Sequence, residues 1–180
     1  LSALSTLARW IDTFNDLIGR ATAWTALAMV LIQFTVVVMR YIFGVGSIMM
    51  QESVIYLHAV LFMVGAGYTL LHGGHVRVDV FYRDASEKIK AWVDFIGVWI
   101  FLIPVCILIS IYSWPYIRIS WKVLEGSKET SGIQGVFLLK SVILVFAILV
   151  ALQGIAMAAR SILHLAGIRV AEPEEDKPLA

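Results

Sequence analysis

Charged side chains are absent from four long stretches of this chain, residues 21–39, 53–71, 95–117 and 141–159, and within each the apolar positions run on without alternating. A helix rising about 1.5 Å per residue crosses the ~30 Å hydrocarbon layer of a bilayer in about 20 residues, so each stretch predicts a membrane span. A backbone in lipid must satisfy its own hydrogen bonds, which leaves helices or closed barrels, and continuous apolar runs exclude the barrel. The pattern predicts an all-α membrane protein with four transmembrane helices, at about 21–42, 53–72, 84–118 and 136–165. Ahead of them, Leu1, Leu4, Leu7, Ala8, Ile11, Phe14 and Ile18 recur at helical spacing, with Ser5, Arg9, Asp12, Asn15 and Asp16 largely opposite. That periodicity predicts an amphipathic interfacial helix over 1–20 with Trp10 at headgroup depth, or equally a helix packed on a partner subunit. Gly19 and Arg20 are expected to break it before the chain enters the membrane.

The connections carry their own patterns. After span two, His72, Gly73, Gly74 and His75 give a flexible exit, and Val76, Val78 and Val80 alternate with Arg77 and Asp79 as in a short extended piece. Asp84 and Glu87 have capping-box spacing, so span three is expected to start at Asp84. Run on to Arg118 it would be about 50 Å long at ~1.5 Å per residue, with a kink or tilt near Pro104 and near Pro115. Residues 120–139 show no helical period and read as a loop. Residues 166–180 form a polar tail.

Composition closes off other classes. The 180 residues are 60% hydrophobic and 15% charged, with mean hydropathy +0.86, more apolar surface than a soluble core absorbs. Outside the spans too little chain remains for a second folded domain. Of the 14 Lys and Arg, nine fall on the side of the termini and five on the other, which predicts cytoplasmic termini. No cleavable signal is expected, because Asp12 and Asp16 interrupt the region where its apolar core should lie. A start at Leu1 instead of Met is what a trimmed numbering would give.

Candidate chemistry is sparse. An ionisable group in mid-bilayer costs about 2.5–3.5 kcal/mol and usually marks an ion or solute path, and the span middles hold no Asp, Glu, Lys or Arg. Gln33, Thr35, Ser110 and Gln153 are expected to hydrogen-bond between packed helices. Of the four histidines, His58 lies in the outer half of span two, His72 and His164 at the inner boundary, and His75 in the connection. No pair shares a depth, so a bis-histidine haem is not expected, and His58 reads as a hydrogen-bonded packing residue. Cys106 is the only cysteine, which leaves no internal disulfide and no thiolate cluster. Neither cofactor nor metal is expected, nor a nucleic-acid partner. Arg40 ends span one and Glu52 opens span two; they read either as an ion pair stapling the hairpin or as two independent interface charges. Gly65 and Gly67 permit close helix approach, within the chain or to a partner.

Arg40, Tyr41, Ile42, Phe43 and Gly44, then Glu52, then Gly65, Ala66 and Gly67, then His75, Val76, Arg77, Val78 and Asp79 together resemble the small membrane subunit, DctQ family, of tripartite ATP-independent periplasmic (TRAP) transporters. The likeness is close over about 30–80, and the four-span layout fits the rest. Residues 135–140, ending in Lys140, and 151–154 resemble the subgroup labelled mannitol/chloroaromatic. The chain departs from many relatives in lacking a proline-rich stretch before span four, having Ser131, Gly132, Ile133, Gln134 and Gly135 there. The resemblance implies a non-catalytic scaffold in a bacterial inner membrane, partnered by lipid, by a large membrane subunit holding substrate and sodium sites and moving as an elevator, and by a periplasmic binding protein delivering an organic acid. It assigns Arg40, Glu52, Gly65, Gly67, His75, Arg77, Asp79 and Lys140 to structure or subunit contact. The rival readings are an independent homo-oligomeric transporter or channel and a membrane redox subunit.

Overall fold

The computed structural model describes residues 2–75, 82 and 85–168, and all regular structure among them is helical. Helix α1 runs Ser2–Ile42. The second span is α2, Ile48–Val64, continued past Gly65 by α3, Ala66–Leu71. The third is α4, Glu87–Gly97, a π-helical turn at Val98–Leu102, and α5, Ile103–Lys122; the fourth is α6, Val136–Leu165. Four helices are long and apolar enough to cross a membrane, as expected. Successive spans are antiparallel. The start of α1, His72 and the end of α6 meet at one end, here the terminal end, through Asp12 with Arg160 and Asp16 with His72. The 43–47 and 123–135 connections lie at the other, the hairpin end, where Glu52 meets Ile133.

Helix α6 is the hub. It packs against every other helix, α1 packs also on α2 and α3, and the third span touches no span except α6. Accordingly 39% of the apolar window of α6 is buried, against 11% for each of the other three spans. Its sequence explains this: Ala147, Gly154, Ala156, Ala158 and Ala159 are small and buried, and small residues let helix backbones approach. Ala156 and Ala159 pack on Ala8 and Ile11, with Leu4 and Leu152 against them. Large apolar side chains point outward instead, Trp10 at 73% and Trp24 at 72% exposed, with Phe34 and Phe101 similarly placed. Small inside and bulky outside is the inverse of a water-soluble core and suits lipid, where burial of apolar surface gains little.

Four expectations are corrected. Helix α1 does not break at Gly19 and Arg20. Gly19 is a packing notch whose Cβ would fall 2.2 Å from the Tyr68 ring, and Arg20 pairs with Asp16 one turn back at 2.8 Å, which supports the helix. Its buried stripe is Ala8, Ile11, Asn15, Gly19 and Thr22, so Asn15, expected opposite the apolar side, turns inward, while Leu7 and Phe14 of the apolar side are exposed. Span two opens at Ile48, where Ser47 Oγ accepts from Met50 N–H at 3.4 Å, so Glu52 lies a turn inside the helix. The described helix of span three opens at Glu87, with Ser86 at the N-cap position and no side-chain cap hydrogen bond. Near Pro104, which has no N–H for the Ile100 carbonyl, the helix widens so that Ile103 N–H reaches Val98 O; α5 then runs through Pro115 to Lys122. The expected roles of Arg77, Asp79 and Asp84, the alternating valines and the tail beyond 168 lie outside the described residues.

Candidate functional site

Polar side chains gather at two places, one at each end of the bundle. At the terminal end Asp12, Asn15 and Asp16 share one side of α1 by their three- and four-residue spacing, and Gln153 and Arg160, two turns apart, share one side of α6. Asn15 and Gln153 are fully buried. Asn15 Nδ2 donates to Gln153 Oε1 at 2.7 Å, Gln153 Nε2 donates to Asp12 Oδ1 at 2.9 Å, and Arg160 Nη1 donates to Asp12 Oδ2. Asp16 takes Arg20 Nε at 2.8 Å and faces His72 Nε2 at 3.1 Å, which brings in the end of α3. The Asn15 amide fits because residue 67 is glycine: a Cβ there would stand 2.6 Å from Asn15 Oδ1 and 3.3 Å from Leu149 Cβ. Gly67 therefore permits close approach within this chain. Buried polar groups are stabilising only when paired, and here an acid, an amide pair and a base bond one another across α1 and α6, with Asn15 Oδ1 left without a partner.

At the hairpin end the connection before α6 is tied down. Glu52 accepts from Ile133 N–H at 2.6 Å and from Ser127 Oγ, and Tyr56 OH donates to Ile133 O at 3.5 Å. Gly132 leaves room for that carboxylate, since a Cβ would lie 2.6 Å from Glu52 Oε2. Lys140 donates to Glu125 and stands 3.9 Å over the Tyr116 ring, and Trp121 Nε1 donates to Ser141 Oγ at 2.8 Å. The Lys140 ammonium holds the Glu125 carboxyl below the usual carboxylate range.

The Arg40–Glu52 staple does not form. Glu52 is committed to the 127–133 segment, and Arg40 is exposed with no ion-pair partner among the described residues. Lys140 pairs with Glu125. Gly65 sits at the α2–α3 junction, its N–H bonded to Leu61 O at 3.2 Å, and His75 is exposed. Of the polar residues in the spans, Gln153 bonds between helices as expected, whereas Thr35 and Ser110 bond their own backbone at Leu31 O and Cys106 O, each at 2.8 Å. His58 is no packing residue: it is exposed and touches Phe62, ring centroids 4.5 Å apart. Asp12, Asn15, Asp16 and Arg160 were not legible as a site, because polar residues opposite an apolar stripe read as water-facing. The seven-residue spacing of Gln153 and Arg160 was the available signal. Among the described residues no group of three His, Cys, Asp or Glu gathers to hold a metal.

A family model described as "Tripartite ATP-independent periplasmic transporters, DctQ component" matches residues 29–164. No curated protein and no solved structure matches the chain. The match takes in Glu52, Lys140, Gln153 and Arg160, while Asp12, Asn15 and Asp16 precede it.

Proposed function

The chain belongs to the DctQ component family of tripartite ATP-independent periplasmic transporters, and from that premise we propose that it is the static, non-catalytic scaffold of such a transporter. Family membership makes it a multi-pass membrane component of a three-part system, with a large membrane subunit and a binding protein as its implied companions. The finer reading is a sodium-coupled importer of an organic acid in a bacterial inner membrane, in which the large subunit carries solute and ions.

The observation that carries the scaffold role is the interlock at both ends of the bundle. Asp12, Asn15, Gln153 and Arg160 bond one another, Glu52 and Lys140 pin the far connection, and Ala8, Ile11, Ala156 and Ala159 pack beside the first of these clamps. Such a body resists relative helix motion and gives a moving neighbour something fixed to work against. On this reading Glu52, Gly67 and Lys140 hold the bundle, and Arg40, Gly65, His75, Arg77 and Asp79 serve loop structure or subunit contact. The Lys/Arg bias supports cytoplasmic termini, and on this reading the Glu52 clamp faces the periplasm.

Reconstitution tests the proposal. Proteoliposomes with the large subunit, this chain and the binding protein are expected to take up substrate under a sodium gradient. Omitting this chain abolishes uptake, and this chain alone gives none. Uptake by this chain alone would overturn the scaffold role.

A further inference from the structure

The polar groups of the two clamps face one another inside the bundle, with Asn15 Oδ1 and His72 Nδ1 left unpaired there; Gln33 and His58 lie apart from both. Gln33 on α1 and His58 on α2 are exposed, and neither makes a hydrogen bond among the described residues. Arg40 and Glu52 mark the charged boundary at the hairpin end, and Gln33 and His58 lie about two turns inside it, roughly 10 Å at ~1.5 Å per residue. That is too deep for either side chain to reach the headgroups, as longer Lys and Arg side chains do. An amide has two donors and an acceptor, an imidazole has two ring nitrogens, and lipid tails offer neither donor nor acceptor. Thr35 escapes the problem by donating to Leu31 O on its own helix. By contrast the exposed middle of α5 presents Val105, Ile107, Leu108 and Ile111, which lipid tails solvate; Tyr112 beside them has a ring long enough to carry its hydroxyl outward. Arg40, two turns on from Gln33 and so on the same side of α1, is exposed and without an ion-pair partner as well.

We infer that the outer surface of the α1–α2 hairpin around Gln33 and His58 is where a helix of the large membrane subunit docks, presenting hydrogen-bonding side chains at that depth and a carboxylate opposite Arg40. The inference rests on the function proposed above, because that system supplies a second membrane polypeptide. Hydrogen bonds and an ion pair give the contact its register, and apolar neighbours such as Ile55 and Phe62, both exposed, fill the area around them.

The test uses the assembled complex. A photoreactive phenylalanine analogue placed at 33, 58 or 108 is illuminated in membranes containing the large subunit. Adducts with the large subunit from 33 and 58, and none from 108, are the expected result. Adducts only from 108, adducts of this chain with itself, or lipid adducts alone at 33 and 58 overturn the inference. In parallel, Gln33→Leu combined with His58→Leu is expected to lower co-purification of the large subunit about tenfold. Its thermal unfolding as an isolated chain is expected to stay unchanged, since neither residue has an internal hydrogen-bond partner and leucine keeps an apolar contact with Phe62. An isolated double variant that unfolds at lower temperature would make the two residues structural and overturn the docking role. If the wild-type chain fails to retain any large subunit, the scaffold function itself fails; if it retains the subunit through other surfaces, only this docking site does.

Discussion

Asp12 and Arg160 side chains are 17% and 18% exposed where they meet across α1 and α6, so removing one leaves the other poorly solvated. Breaking such a pair from one side costs about 3–5 kcal/mol, whereas replacing both members with apolar groups of similar size often costs little. Arg160→Met is therefore expected to lower the unfolding temperature in detergent sharply, and Asp12→Leu added to it to recover most of the loss. The recovery stops short by about 1–3 kcal/mol, because Gln153 Nε2 loses its acceptor; additive effects of the two substitutions would rule out the coupling. Gly67 makes a steric prediction of the same grain. Gly67→Ala drives a methyl towards Asn15 Oδ1 and is expected to destabilise by about 1–3 kcal/mol, while Gly97→Ala, with nothing within 4 Å, is neutral or slightly stabilising. The importance of Gly67 was legible, because glycine beside alanine in an apolar run signals close approach. The inward turn of Asn15 was not, because the rule that polar residues face water has no purchase where the alternative to a protein partner is lipid.

At the scale of elements, charge decided the spans and mislocated their ends. The charge-free windows placed all four helices, yet the second span, capped by Ser47, opens at Ile48 five residues before residue 53, and α1 passes through Gly19 because a neighbouring ring fills the notch. Neither fact is local in sequence. The hairpin-end clamp shows the same limit: Glu52 is drawn not to Arg40 at the far side of a short turn but to Ser127 and Ile133, which arrive from beyond the third span. Glu52→Ala is accordingly expected to speed hydrogen exchange at the Ile133 amide and proteolysis within 124–134. Arg40→Ala should leave the isolated chain's stability within about 0.5 kcal/mol of wild type; a matched loss from both substitutions would restore the staple. The Glu125–Lys140 pair adds a pH dependence. Because the carboxyl is held below its ordinary value in the folded chain, the stabilisation it gives is complete above the ordinary carboxylate range and fades as pH falls through the lowered folded value. Glu125→Gln is expected to remove that part of the acid slope of unfolding and leave the neutral behaviour flat.

At the scale of the whole molecule, four similar apolar windows hide an unequal division of labour. Only α6 meets every other helix, and the third span is attached through α6 alone. The concentration of alanine and glycine over 147–159 is the trace this leaves in the sequence, since a hub must admit neighbours on several sides at once. Gly154 is where the third span seats: Leu102 Cδ2 and Val98 Cγ1 would stand 2.6 and 3.5 Å from a Cβ there, and both residues belong to the π turn that Pro104 imposes. The widened turn and the notch are thus one joint. A bulky residue in the notch is expected to loosen the third span while the α1–α3 side, held by Asp12, Asn15 and Gly67 at other positions on α6, stays in place. Cys106 offers the readout, being buried on α5 and the only thiol in the chain. In Gly154→Leu its labelling by a small maleimide in detergent should rise roughly 5–150-fold, the range that about 1–3 kcal/mol of overpacking corresponds to. Hydrogen exchange along 8–22 of α1 should not change. If exchange there rises in step with Cys106 labelling, the bundle opens as one cooperative unit, and the third span is not a separable arm of the hub.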